Sequence, residues 1–198
     1  MFKRIFDILI SSLGLIILSP LFLLISVWIK FDSKGPIIFR QTRVGLKGKE
    51  FRIHKFRTMI ADASKLGGSI TIGSDKRITH VGKFLRKYKL DELPQLIDVF
   101  LGNMSLVGPR PEVPEFMNKY PDGIREKILS VRPGITDLAS IEMIDENEVL
   151  SSYDDPQKAY VEFIMPLKAN YYIKYAESHT LFGDIGIVIK TIAKILFR

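Results

Sequence analysis

The feature that most restricts this chain is a run of 22 residues without a charge, from Ile8 to Ile29. An α-helix needs about 20 apolar residues to cross the hydrocarbon core of a bilayer, so the run is long enough to enter a membrane. A cleaved secretory signal is the competing account, but the run is long for one and no small-x-small cleavage site stands out. Two features argue against a simple crossing. Pro20 lies near the middle, where it removes a backbone donor and leaves the Ile16 carbonyl to be satisfied by the Ser19 hydroxyl or by a bend. Lys3 and Arg4 precede the run, while Lys30, Lys34, Arg40, Arg43, Lys47 and Lys49 follow it, so both flanks carry the basic residues of cytoplasmic segments. Two half-helices that enter and return on one side satisfy both observations. The expected layout is a re-entrant membrane anchor over residues 1–31 and one further domain over residues 32–198.

The chain is long enough for one domain with a buried core, and no periodicity suggests repeats. Lysine and arginine number 29 against 22 acidic residues, a formal charge of +7 that suits an anionic partner such as phosphate, a lipid headgroup or nucleic acid. The sign of the charge does not choose among them. The absence of cysteine excludes disulfides, thiolate zinc sites and cysteine nucleophiles. His54, His80 and His179 are too scattered to suggest a metal cluster by spacing.

Between Gly35 and Met59, two short β-prone runs around Ile37-Ile38-Phe39 and Phe51-Arg52-Ile53 are separated by Gly45-Leu46-Lys47-Gly48, which predicts a hairpin. Arg40, Arg43, Lys47, Lys49, Arg52, Lys55 and Arg57 crowd it, facing either solvent or an anionic surface. Ile60 to Thr79, rich in Gly, Ser and Asp, reads as a long loop. Val81 to Lys89 predicts a short helix. A second, from Asp91 to Gly102, follows from the spacing of Leu93, Leu96, Ile97 and Phe100, with Pro94 in its first turn and Asp91, Gln95 and Asp98 on its other face.

Two prolines flank Arg110, so a guanidinium held there loses little further entropy on gripping an oxyanion, although ordinary loop punctuation accounts for the prolines equally well. Glu115 to Val131 reads as helical and ends in a rigid turn at Arg132-Pro133-Gly134-Ile135-Thr136. Asp145 to Pro156 reads as a surface loop, and Tyr160 to Tyr175 as an amphipathic stretch interrupted at Pro166. Towards the end, Ile185, Val188, Ile189, Ile192 and Ile195 recur at helical spacing while Lys190, Lys194 and Arg198 line another face. That pattern suits a helix lying in the headgroup layer or an ordinary core-facing helix. The fold class expected is α+β, predominantly helical, with an N-terminal re-entrant membrane helix, a small β-hairpin and interfacial amphipathic helices.

Taken alone, Asp91-Glu92 is charge that complements a helix dipole. Its surroundings change that. The order membrane hairpin, Lys55-Phe56-Arg57-Thr58-Met59, Leu90-Asp91-Glu92-Leu93-Pro94-Gln95, Val107-Gly108-Pro109-Arg110-Pro111 and Arg132-Pro133-Gly134-Ile135-Thr136 resembles the bacterial sugar transferases, the monotopic polyprenyl-phosphate phosphoglycosyl transferases. The resemblance covers nearly the whole chain, and the Ser19-Pro20 break is similar to that of the family's re-entrant helix. It implies a minimal catalytic form, without the large membrane domain of some relatives, on the cytoplasmic face of the bacterial inner membrane.

The implied reaction moves a sugar 1-phosphate from a UDP-sugar to polyprenyl (undecaprenyl) phosphate, releasing UMP and requiring Mg2+, as a first membrane step in surface glycan assembly. By resemblance Asp91 is the nucleophile that forms an acyl phosphate, and Glu92 helps hold the metal or assists proton movement, with both as metal ligands. Arg86, Arg110 and Arg132 are implied phosphate-binding residues, and Lys55, Arg57 and Thr136 substrate-binding ones. Expected partners are the UDP-sugar, polyprenyl phosphate and membrane lipid, and no nucleic acid. One departure leaves the base and sugar open: many members continue Gly-Trp-Ala-Gln after the Pro-Gly-Ile-Thr turn, whereas here Asp137-Leu138-Ala139-Ser140 follow.

Two rival readings use the same residues. A membrane phosphatase would hand the phosphoryl group to water, and would turn over without the lipid acceptor. A basic, lipid-anchored module binding nucleic acid or acidic membranes would show salt-dependent binding and leave the acidic pair without a role.

Overall fold

The uncharged run breaks at its proline. In the computed structural model, which describes residues 2–63, 66, 75–143 and 145–197, α1 (Phe2–Ile17) and α2 (Ser19–Asp32) meet at Leu18 with a bend of 59°. Pro20 has no N–H for the Ile16 carbonyl, and the Ser19 hydroxyl donates to it instead at 2.8 Å. Among the described residues no single helix is long and apolar enough to cross a membrane, but this bent pair together has the length and composition to do so. α1 is inside out by the standard of a protein core: its buried residues are Asp7 and Ser11, while Leu9, Leu13, Ile16 and Ile17 are exposed.

The hairpin forms as expected and runs longer than the β-prone cores. β1 (Ile38–Val44) pairs antiparallel with β2 (Glu50–Phe56), from Ile38 opposite Phe56 to Val44 opposite Glu50. A 3₁₀ turn at Leu46–Gly48 joins them, with Lys47 and Gly48 both at positive φ. Phe56 packs with Ile25 and Ile29 of α2 and with Val81 and Leu85 of α3 (His80–Lys87), tying the bent pair to the rest of the chain. Phe51 and Ile53 enter a second cluster with Leu96 and Val99 of α4 (Gln95–Leu101).

Several expectations are corrected. The helix predicted from Asp91 is a 3₁₀ turn at Leu90–Glu92 followed by α4, because Pro94 sets the helix start one turn later; α4 does end at Gly102, whose φ of 88° is left-handed. The apolar face assigned to α4 is only partly inside. Phe100 is exposed, while Gln95 and Asp98 are buried. Glu115–Val131 is two helices, α5 (Pro114–Met117) and α6 (Asp122–Leu129), parted by Pro121. The turn at 132–136 contains β4 (Gly134–Thr136), which pairs in parallel with β3 (Ser105–Val107).

After α7 (Leu138–Glu142) the expected surface loop holds α8 (Glu146–Ser151), and α9 (Pro156–Ala159) begins at its last residue. Before α10 (Met165–Ser178) the chain makes a π turn over Tyr160–Ile164, in which Met165 N–H reaches Tyr160 O, and this absorbs the donor missing at Pro166. A third cluster, centred on Met117, Tyr160, Ile164 and Tyr172, joins these helices.

α11 (Leu181–Leu196) docks through Asp184, Ile187 and Thr191; of the predicted stripe, Val188 packs against the second cluster while Ile189 and Ile192 are exposed, so the stripe is divided between core and surface. Arg198 lies outside the described residues, as do 64–65 and 67–74 of the predicted loop; the ends of that loop are pinned by Met59 pairing with Ile78 and by Ile60 N–H donating to Arg77 O.

Candidate active site

The acidic pair sits on a short turn held from both sides. α3 comes close to the end of β2 because residue 82 is glycine; a Cβ there would collide with the Thr58 backbone. That approach lets Arg86 Nε donate to Thr58 Oγ1 at 2.8 Å. Lys89, at a left-handed φ of 56°, then reverses the chain into Leu90–Glu92. The reversal turns both Asp91 and Glu92 inward, and both are buried.

The two carboxylates meet different environments. Glu92 Oε1 accepts from Lys55 Nζ at 2.8 Å and from Arg110 Nη2, and Oε2 accepts from Arg110 Nη1 at 3.2 Å. Burial alone would push the Glu92 carboxyl up, but Arg110 and Lys55 hold it well below the usual carboxylate range. Asp91 has no hydrogen bond or ion pair among the described residues. Burial, reinforced by the neighbouring Glu92 charge, raises its pKa against the opposing pull of Lys55, Arg86 and Lys89. One acid is therefore neutralised by a two-pronged guanidinium and an ammonium, and the other is left bare beside cations.

Arg110 is fixed as the flanking prolines suggest, and by more than their rings. Gly134 N–H donates to Pro109 O at 3.0 Å, and Arg43 Nη1 donates to Pro111 O at 3.0 Å. Glu92 raises the Arg110 pKa well above its ordinary value.

The predicted site residues thus separate. Asp91, Glu92, Lys55, Arg86 and Arg110 come together. Arg57 is buried away from the pair; its Nη1 and Nη2 donate to Lys34 O at 2.6 Å and Ser33 O at 2.8 Å, clamping the segment after α2. Thr136 shares a 2.6 Å hydrogen bond with Thr191 of α11. Arg132 lies at the far end of α4, with Nε donating to Gly102 O at 3.0 Å.

Sequence reasoning missed three contributors. Arg43 was one of seven basic hairpin residues and nothing distinguished it. Lys89 carried no signal beyond its neighbours. Asp98 was placed on the Asp91 face, but its partner was not foreseen: its carboxylate takes both His54 N–H and His54 Nδ1 at 2.8 Å, covering the free edge of β2.

A model of the family described as bacterial sugar transferase matches residues 1–198. The chain belongs to the bacterial sugar transferase family. Among its relatives is the UDP-glucose:undecaprenyl-phosphate glucose-1-phosphate transferase of Klebsiella pneumoniae, 39% identical over 195 residues, which cover 98% of this chain and 40% of that protein. The UDP-N-acetylgalactosamine-undecaprenyl-phosphate N-acetylgalactosaminephosphotransferase of Aeromonas hydrophila is 37% identical over 196 residues, 98% of this chain and 43% of the relative. The chain therefore spans about two fifths of the length of these two sugar transferases. It spans nearly all of a third relative, the exopolysaccharide production protein PSS of Rhizobium leguminosarum bv. phaseoli, 34% identical over 211 residues and 96% of that protein.

Magnesium fits this donor set only in part. Among the described residues no three His, Asp or Glu side chains are grouped to hold an ion unaided. Magnesium commonly uses one or two carboxylates together with substrate phosphates, and Asp91 has oxygens open to that role. The oxygens of Glu92 are already given to Lys55 and Arg110.

Proposed function

We propose that this protein transfers a sugar 1-phosphate from a UDP-sugar to a polyprenyl phosphate and releases UMP. The observation that carries the reading is the bare Asp91 carboxylate beside a neutralised Glu92, ringed by Lys55, Arg86, Lys89 and Arg110. The names of the relatives point to the same substrate classes.

An Asp91 oxygen attacks the phosphorus that bears the sugar, forming an acyl phosphate and breaking the bond to the bridging oxygen, which leaves with UMP. A phosphate oxygen of the polyprenyl phosphate then attacks the same phosphorus, forming the diphosphate bond and releasing the Asp91 carboxylate. Two displacements divide a transfer between bulky anions, and the fixed cations stabilise charge on the equatorial oxygens in each. Glu92 acts as a positioning residue for Lys55 and Arg110. Magnesium, held by Asp91 and the substrate phosphates, would supply further charge neutralisation.

The inside-out character of α1 supports a re-entrant anchor over residues 1–31, with the catalytic domain, 32–198, on the cytoplasmic face of the membrane. Exposed Leu23, Leu24 and Phe31 continue the apolar surface of α1 along α2. A soluble nucleotide sugar then meets the lipid phosphate at headgroup level and nothing needs to cross. Incubation with a UDP-sugar, with and without polyprenyl phosphate, tests the reaction: UMP should accumulate catalytically only with the lipid, and intact-protein mass should show a phosphosugar adduct on Asp91 without it. Steady turnover in the absence of lipid would identify a hydrolase. Single cysteines at Lys3 and Lys34, in a chain with no native cysteine, test the topology, and impermeant labelling at the Lys3 position alone would sink the hairpin.

A further inference from the structure

We infer that the far end of α4 carries a second, non-catalytic binding site, built by Arg4 and Arg132, for the phosphodiester headgroup of an anionic phospholipid. Arg4, in the first turn of α1, donates from Nη1 to Val99 O at 2.6 Å and from Nη2 to Phe100 O at 2.9 Å. Arg132, just ahead of β4, donates from Nε to Gly102 O at 3.0 Å. Two guanidiniums from distant parts of the chain thus converge on residues 99–102. Capping the last carbonyls of α4 explains those three N–H groups. It leaves two whole positive charges side by side at the end of a short helix.

No carboxylate among the described residues pairs with either guanidinium. Asp7, one turn along α1 from Arg4, is buried and gives Oδ1 to Leu106 N–H at 3.1 Å. Arg132 is half-buried, and its two Nη groups, the fork that matches a phosphate, have no partner among the described residues. The surroundings are apolar: Phe2, Ile5, Phe100 and Leu101 are all exposed. A free phosphate would answer the arginines but not this apolar rim. A phospholipid answers both, with its phosphodiester on the fork and its acyl chains against the rim. The site is separate from the reaction centre, since the Arg132 guanidinium reaches Gly102 at the C-terminal end of α4 while that of Arg110 reaches Glu92, ahead of its N-terminal end.

This inference rests on the membrane placement proposed above, and the experiment separates the two. Wild-type, Arg132→Gln and Arg132→Lys chains are floated with vesicles of phosphatidylcholine alone and of phosphatidylcholine with phosphatidylglycerol. The wild type should bind both and prefer the anionic vesicles. Arg132→Gln should keep neutral binding and lose about fivefold of that preference, the effect of one basic residue near the surface. Arg132→Lys should still lose about two- to threefold, because a point charge does not reproduce the fork. A lysine variant indistinguishable from wild type would reduce the preference to diffuse electrostatics and overturn the site. Failure of the wild type to float with either vesicle would remove the membrane placement and the site with it. A further measurement needs no variant: the wild-type protein should immobilise spin-labelled phosphatidylglycerol in preference to spin-labelled phosphatidylcholine, and equal immobilisation of the two overturns the site even if the variants do not fold.

Discussion

The two ends of α4 put their cations to opposite uses. At the N-terminal end Lys55 and Arg110 share Glu92, and Arg86 and Lys89 stand near Asp91. At the C-terminal end Arg4 and Arg132 bond, among the described residues, to backbone carbonyls, with Asp7 acting on Arg4 through space. Pairing at the first end is buried, so charge and countercharge must be matched closely, and the carboxylate of the pair left unmatched is the proposed nucleophile. The second end lies beside exposed apolar surface, where unpaired guanidiniums cost little while water reaches them and remain free for an anion.

The comparison is broken most severely by removing the unmatched charge. Asp91→Asn should abolish transfer, by on the order of a thousandfold or more, since an amide is not an anionic nucleophile. Turnover near wild type in that variant would remove the covalent role. The pH profile sharpens the point. Burial and Glu92 raise the Asp91 pKa, so activity should fall on acidification at a higher pH than for an ordinary aspartate, and Glu92→Gln should move that acid limb downward in whatever activity remains.

Next in size is the matched charge itself. Glu92→Gln strands Lys55 and Arg110 in a buried site and should cost about 3–5 kcal/mol at neutral pH, read by denaturant unfolding. The folded Glu92 pKa is depressed, so its stabilisation is present above the unfolded value of about 4.3 and is lost as pH falls through the lower folded value. The gap between wild type and variant should therefore close in acid. A gap independent of pH would show that packing, not charge, holds Glu92.

Arg110→Lys keeps the charge but loses the two-pronged geometry, and kcat/KM should drop by about tenfold or more. Unchanged kinetics would make Arg110 a turn residue. The smallest effect is expected at Thr136→Val, which breaks the bond to Thr191. It should cost about 1 kcal/mol and leave kcat/KM within about twofold. A large kinetic loss with unchanged stability would return Thr136 to the substrate site.

Local chemistry was legible in the sequence wherever it is decided by residues near each other along the chain. The Ser19-Pro20 bend follows from one missing N–H and one nearby hydroxyl, the end of α4 from Gly102, and the hairpin from a glycine-bounded turn between β-prone runs. Asp91, Glu92 and Arg110 stood out differently, through the order of five motifs along the whole chain that resembles a family, since each motif taken alone had an ordinary explanation. What only the tertiary structure decided is which charges meet. Arg110 and Arg132 both precede a proline, yet one reaches Glu92 and the other Gly102, because pairing Ser105 with Gly134 sets Arg132 beside the residues that lead into β3, whereas Arg110 follows that strand. That pairing joins three-residue strands far apart in the chain, too short for periodicity to reveal. The exposure of Phe100 and the burial of Gln95 and Asp98 on α4 escaped the pattern as well, since an apolar stripe shows that a surface must leave water and says nothing about whether a protein core or a lipid takes it.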